Sequence, residues 1–196
     1  INKGVVAEKI IDYGIPVDPK FSVSHNKEEL AAKFGLTTGK PIIMVMGGGQ
    51  GLGPINKIVN AYKNIRVDSQ LVVITGTNEK LLKRLKDKEK KLKKKISVFG
   101  FIDNIDELME IATVIVTKPG GLTTAEALIK GLPLLIIEPL PGQEEINTTF
   151  LLNKGAAVKI TKEKFLPYIM QTLISNENML GQMKKAVFNI SKPDAS

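Results

Sequence analysis

Six short runs of apolar, mostly β-branched residues follow one another along the chain, at 42–46, 71–75, 96–99, 114–117, 134–137 and 156–160. Runs of this length bounded by turn-forming and polar residues predict buried strands. Between them apolar residues recur at helical spacing, at 54–64, 79–94, 105–112, 124–130 and 144–153. Strand and helix therefore alternate through the body of the chain. A strand with one wet face would alternate apolar and polar residues. These do not, so both faces of the sheet must be covered, as in parallel strands joined by helical crossovers.

The rhythm predicts an α/β fold over residues 25–160, a Rossmann-like parallel sheet with helices on both faces. The flanks read differently. Gly14-Ile15-Pro16-Val17-Asp18-Pro19 places two prolines where φ is fixed and helix discouraged, so residues 1–24 are expected to be an extended interdomain linker and the end of a preceding lobe. Asn26 with Glu29 three residues later predicts a capped helix running to about Phe34. After Ile160 two amphipathic segments run to about Ile190 and end in a polar tail. Residues 161–196 are expected to pack on a neighbouring lobe, leaving this chain as one lobe of something larger. Its opening on Ile1 rather than Met fits a start inside a longer chain.

At 196 residues, 43% hydrophobic and 24% charged, the chain has the size and balance of one ordinary globular domain. No apolar run approaches the roughly 18 to 20 residues that cross a bilayer, so neither membrane spanning nor export is expected. With no cysteine, a disulfide framework, a thiolate zinc site and a cysteine nucleophile are excluded, and a reducing cytoplasm is the expected compartment. The single histidine, His25, argues against a multi-histidine metal centre and reads as a surface or capping residue rather than a catalytic base.

The net charge of +8 is concentrated in one segment: residues 80–95 hold ten cations against Asp87 and Glu89. Leu81, Leu85 and Leu92 give this segment an apolar stripe, so it predicts a surface helix with a lysine-rich outer face. That face is either simply solvated or a contact for an anionic membrane surface. Nucleic acid is not expected, because no aromatic residue interrupts the lysines to stack on bases.

In sheets of this kind ligands bind beyond the carboxyl ends of the strands. The first such loop, Gly47-Gly48-Gly49-Gln50-Gly51-Leu52-Gly53-Pro54, is either a tight strand-to-helix turn or a nest of N–H groups at a helix start, suited to phosphate. It is neither a Walker loop nor a dinucleotide fingerprint. The fourth loop, Lys118-Pro119-Gly120-Gly121-Leu122-Thr123-Thr124-Ala125-Glu126, repeats the device. Thr123 and Glu126 match a Ser/Thr-x-x-Glu capping box. Equally, the Glu126 carboxylate on a first helical turn could accept hydrogen bonds from a ribose diol. The fifth, Glu138-Pro139-Leu140-Pro141-Gly142-Gln143-Glu144-Glu145-Ile146-Asn147, starts a helix with amides and carboxylates that could read sugar hydroxyls or merely favour the helix dipole.

Taken together with Phe101-Ile102-Asp103, these motifs resemble the nucleotide-sugar-binding lobe of two-lobed GT-B glycosyltransferases, over about residues 10–190. Within that class the chain is similar to diacylglycerol glucosyltransferases, monogalactosyldiacylglycerol synthases and the N-acetylglucosaminyltransferase that makes lipid II. The resemblance implies that Gly48, Gly49 and Gln50 lie against the donor diphosphate and that the backbone of Phe101 and Ile102 recognises uracil. It also implies that Gly120, Gly121, Leu122 and Thr123 approach the pyrophosphate, Glu126 holds the ribose, and Gln143, Glu144 and Asn147 face the transferred sugar. The implied reaction is hexosyl transfer from a UDP-sugar to a lipid hydroxyl at the cytoplasmic membrane face, with no metal or other cofactor. Its catalytic residues and acceptor pocket are expected in an N-terminal lobe, so this fragment alone should turn over little. A UDP-sugar epimerase of the same architecture, or a nucleotide-binding regulatory module without chemistry, would share these motifs.

Overall fold

A computed structural model describes residues 6–11 and 13–195. It contains a single six-stranded sheet: β1 (Ile42–Met46), β2 (Gln70–Ile74), β3 (Ile96–Phe99), β4 (Val114–Thr117), β5 (Leu134–Ile137) and β6 (Ala157–Ile160). All neighbours are parallel, in the order β3-β2-β1-β4-β5-β6. Every expected strand forms within one residue of its expected limits. β2 starts one residue early because the Gln70 N–H donates to the Pro41 carbonyl at 2.9 Å, extending its ladder toward β1.

Successive residues of the strands enter opposite cores. Ile43, Val45, Leu71, Val73, Val114, Val116, Leu135 and Ile137 face one apolar layer. Ile42, Met44, Met46, Val72, Ile74, Ile115, Leu134 and Ile136 face the other. This double burial is why the strands read as unbroken apolar runs. The first layer is closed by α2 (Ile55–Tyr62), α3 (Glu79–Lys91) and α7 (Leu166–Ser175), through residues such as Ile58, Leu85 and Met170. On the other side lie α1 (Lys27–Lys33), α4 (Ile105–Ile111), α5 (Gly121–Ile129) and Leu151 of α6 (Gln143–Asn153). Helix α8 (Glu177–Ile190) crosses between the layers, giving Leu180 and Met183 to the first and Val187 to the second. The two C-terminal helices thus bury their stripes on this domain's own sheet, while Phe188 stays 78% exposed. No helix of the described residues is long and apolar enough to cross a membrane.

Two expectations shift in detail. Helix α3 stops at Lys91 rather than 94, because Leu92 turns to an extended conformation that leads into β3. The expected linker, partly outside the described residues, runs without regular structure over 13–18 and then docks. Asp18 accepts the Lys20 N–H at 3.0 Å and caps a 3-10 turn, Pro19–Ser22, with Val17 and Phe21 buried on either side. Asn26 caps α1 as expected, accepting from the N–H groups of Glu28 and Glu29 at 2.9 and 3.2 Å.

The strand order positions the site. From β1 the chain moves outward through β2 to β3, then returns to place β4 on the other side of β1. The loops leaving β1 and β4 therefore diverge, opening a crevice at the carboxyl edge of the sheet.

Candidate nucleotide-binding site

The glycine turn after β1 is built by close backbone contacts. Its Leu52 N–H bonds the Gly47 carbonyl at 2.9 Å and its Gly51 N–H bonds Gly48 at 3.1 Å. The turn after β2 locks it from the side, with the Thr77 N–H on the Gly49 carbonyl at 2.9 Å. A Cβ on Gly47, Gly51 or Gly76 would lie 2.0 Å from the carbonyl oxygen of Leu52, Thr75 or Gly49 respectively. Gly48 is required by its φ of +67°. Gly49 is different: its φ is ordinary and a Cβ there would meet nothing within 4 Å. The packing of the turn accounts for its neighbours and leaves Gly49 facing open space. Among the described residues, the N–H groups of Gly48, Gly49 and Gln50 donate no hydrogen bond.

The turn after β4 shows the same economy. Helix α5 begins at Gly121 with Gly120 as its N-cap and no side-chain capping bond. Of the two readings of Thr123 and Glu126, the capping box does not form: Thr123 is the third residue of the helix, not its cap, and Glu126 falls on the second turn. The N–H groups of Gly121, Leu122 and Thr123 are left open, and a Cβ on Gly120 would meet nothing. Helix α3, one strand over, is instead closed by Asn78, whose side chain accepts the Leu81 N–H at 3.0 Å. The open N–H groups of the turn after β1 and of the start of α5 present positive partial charge to the crevice.

Between these turns lies a cavity of about 360 Å³. Gly48 and Gly49 border it from the turn after β1, Gly76 from the turn after β2, and Leu122, Thr123 and Glu126 from α5. Phe101, Ile102 and Asp103 close it from the β3–α4 loop, and Asp18 and Lys20 from the docked segment before α1. Met46 and Ile74 form its floor. The Glu126 carboxylate accepts no hydrogen bond among the described residues. Burial pushes it up to about 7, against a smaller downward pull from the Lys20 charge. A half-buried, unpaired carboxylate is an acceptor without a donor, and a ligand hydroxyl supplies one.

Seven of the thirteen expected site residues border this cavity: Gly48, Gly49, Phe101, Ile102, Leu122, Thr123 and Glu126. Gln50 points to solvent at the top of its turn. Gly120 is the N-cap of α5. Gly121 lines a neighbouring hollow together with Asn147, whose amide donates to the Pro119 carbonyl at 2.8 Å and ties α6 to the second turn. Glu144 accepts the Leu140 N–H at 2.7 Å, and the Gln143 amide lies 3.5 Å from where a Gly121 Cβ would sit. Entry to this third turn is made by Glu138, the one non-glycine residue among those described with positive φ, +43°. His25 does not border the cavity; its Nε2 lies 3.8 Å from the buried Asp106 carboxylate.

Sequence reasoning missed Gly76, Asp18 and Lys20, and gave Asp103, though part of the Phe101-Ile102-Asp103 motif, no role. Gly76 follows β2 as Gly47 follows β1 and was legible from that parallel. Lys20 and Asp18 were not, because nothing in an extended Pro-rich segment shows that it folds back over the sheet.

Fold and crevice define a Rossmann-like α/β domain with an anion-receptive cleft at its topological switch point. Residues 42–195 match the glycosyltransferase family 28 C-terminal domain, and the chain belongs to that family. Over 195 residues it is 33% identical to the processive diacylglycerol β-glucosyltransferase of Bacillus cereus strain AH187, covering 99% of this chain and 50% of that protein. The enzyme of the same name from Bacillus cytotoxicus matches to the same extent. The chain thus spans about half the length of the curated relatives it matches. In fold it is similar to MurG of Acinetobacter baumannii (TM-score 0.68, 20% identity, 88% of this chain and 51% of that one). It is equally similar to HepE of Anabaena, solved in complex with UDP-glucose (TM-score 0.68, 16% identity, 96% and 54%).

Proposed function

We propose that this chain is the donor-binding domain of a hexosyltransferase that moves a hexose from a UDP-sugar to a lipid acceptor such as diacylglycerol. The observation that carries the reading is the single cavity joining two sets of open N–H groups to an unpaired carboxylate. In this reading the pyrophosphate lies between Gly48–Gly49 and the start of α5. The base meets the backbone of Phe101 and Ile102, and both ribose hydroxyls donate to Glu126. Gln143, Glu144 and Asn147, at the rim, face the sugar. The names of the relatives support the lipid acceptor, and the UDP-glucose complex of a protein of like fold supports the donor.

In the reaction the bond from the anomeric carbon to the β-phosphate oxygen breaks and UDP leaves with the electron pair. The acceptor hydroxyl forms the new bond and gives its proton to a base. The N–H groups of the glycine turn after β1 and of the start of α5 stabilise the charge that develops on UDP, and this scheme routes no step through a metal. No residue here is assigned as the base, which falls to the other half of the whole protein. The acceptor reading places the protein at the cytoplasmic face of a membrane, held peripherally.

Calorimetric titration with UDP tests the donor site. UDP binds, and Glu126→Ala weakens it by roughly 1.5 to 3 kcal/mol, the worth of hydrogen bonds to a charged group. Unchanged affinity in the variant would remove the carboxylate from the site. Interconversion of free UDP-sugars without any acceptor would favour an epimerase instead.

A further inference from the structure

The cavity holds three carboxyl-bearing residues, Asp18, Asp103 and Glu126, but one cation, Lys20. Lys20 sits on the 3-10 turn Pro19–Ser22, whose backbone is fixed by the Asp18 cap and by the buried Val17 and Phe21. From there its ammonium crosses to the opposite wall. Nζ donates to the Asp103 carbonyl at 2.8 Å and lies 3.8 Å from the Asp18 carboxylate. Residues 100–103 form the loop between β3 and α4. Among the described residues, the bond from Lys20 is the one hydrogen bond that residues 100–103 make. Asn104, the N-cap of α4, makes no capping bond to the helix backbone; its amide donates to the Glu107 carboxylate at 2.9 Å, which anchors the residue after the loop and leaves 100–103 to Lys20. Lys20 is also the charge acting on Glu126 across the cavity.

We propose that Lys20 is a positioning residue of the nucleotide site: it pins the β3–α4 loop where the loop meets the pyrimidine base, and its charge keeps the Glu126 carboxylate available as an acceptor. The inference rests on the nucleotide reading given above. Other lysines also reach distant carbonyls, as Lys130 does to Val23, but neither of those two residues borders the cavity. Lys20 instead joins two segments 83 residues apart in the chain across a cavity.

Each role has its own signature. Ionised Glu126 accepts from both ribose hydroxyls, whereas the protonated form competes as a donor. Affinity therefore rises with pH as the group ionises near pH 7. The groups facing it are Lys20 and Asp18 from the docked segment and Asp103 from the loop; the turns after β1 and β2 bring glycines to the cavity and no charge. UDP-glucose is the suitable probe, because its pyrophosphate is a diester and does not titrate in this range.

The test is calorimetric titration of this chain with UDP-glucose from about pH 6 to about pH 8.5, with UDP and CDP compared at one pH, and melting temperatures as the control for folding. Lys20→Met is expected to bind about threefold to tenfold more weakly at neutral pH. Its rise in affinity moves to higher pH, and its preference for UDP over CDP falls. Lys20→Gln keeps a donor without the charge, so it retains the base preference while its pH profile still moves. Lys20→Arg stays close to the wild type. If Lys20→Met folds and keeps both the pH profile and the base preference, the proposal is wrong, even if overall affinity drops. If the wild type binds no UDP-glucose at any pH, it is the nucleotide reading itself that fails.

Discussion

Gly49 and Gly51 stand two positions apart in one turn, yet they are glycine for different reasons, and substitution separates them. Gly51 has φ +59° and a Cβ there would strike the Thr75 carbonyl, so Gly51→Ala should destabilise the fold by about 1 to 3 kcal/mol, as read by urea unfolding. Gly49→Ala meets neither obstacle. Stability should hold or rise by about 0.4 to 1 kcal/mol, from the stiffer unfolded chain, while UDP affinity falls because the methyl occupies the approach of the phosphate. An alanine at position 49 that left UDP binding intact would show that the turn serves packing alone. Glu126 carries a second prediction. Its carboxyl titrates near 7 when folded and near the ordinary value of 4.5 when unfolded. Between those values the folded state holds a proton that the unfolded state has lost, so stability falls as pH rises through that window. Glu126→Gln should flatten that part of the profile, and equal slopes in both proteins would contradict the burial argument. Glu138 stores strain in the left-handed region, and Glu138→Gly should recover about 1 kcal/mol, measured as a rise in melting temperature.

Helix α3 shows how far an amphipathic pattern carries. The buried stripe of Leu81 and Leu85 and the outward Lys80, Lys83, Arg84 and Lys91 fall where their spacing put them. Spacing could not show that Lys88 turns inward to Asn56 and Asn60 at 2.6 and 2.9 Å, crowded by Lys63 and Arg84. Nor could it show that Lys94 is spent on the Ile65 carbonyl over the Tyr62 ring. The cations left on the outer face bear no exposed apolar partner on the helix, so membrane contact through them would be purely electrostatic. Lys83→Gln, Arg84→Gln and Lys91→Gln together should weaken sedimentation with vesicles of phosphatidylglycerol and phosphatidylcholine by up to about 1 kcal/mol for each charge, an effect lost at high salt. Unaltered binding would leave the face as solvated surface. The strands were legible for a simple reason: double burial removes the polar positions that blur a strand's limits. One helix start, that of α5, was less legible. The match of Thr123 and Glu126 to a capping box pointed to the wrong first residue, because Gly120 can cap α5 with backbone alone. Lys20 escaped because its role depends on a contact with residue 103, which no local pattern contains.

The whole domain follows from one topological fact. Placing β4 beside β1 after the chain has run outward to β3 brings two glycine turns, a carboxylate and a backbone loop to one crevice, although they lie scattered over residues 18–126. The family match places the chain among the glycosyltransferases, and the chain spans about half the length of the curated relatives it matches. The most direct measurement is a crystal structure of this chain soaked in UDP. The account predicts uracil against the backbone of Phe101 and Ile102, ribose hydroxyls on the Glu126 carboxylate, and pyrophosphate between Gly49 and the first N–H groups of α5. Nucleotide bound elsewhere, or both turns empty at saturating UDP, would contradict it.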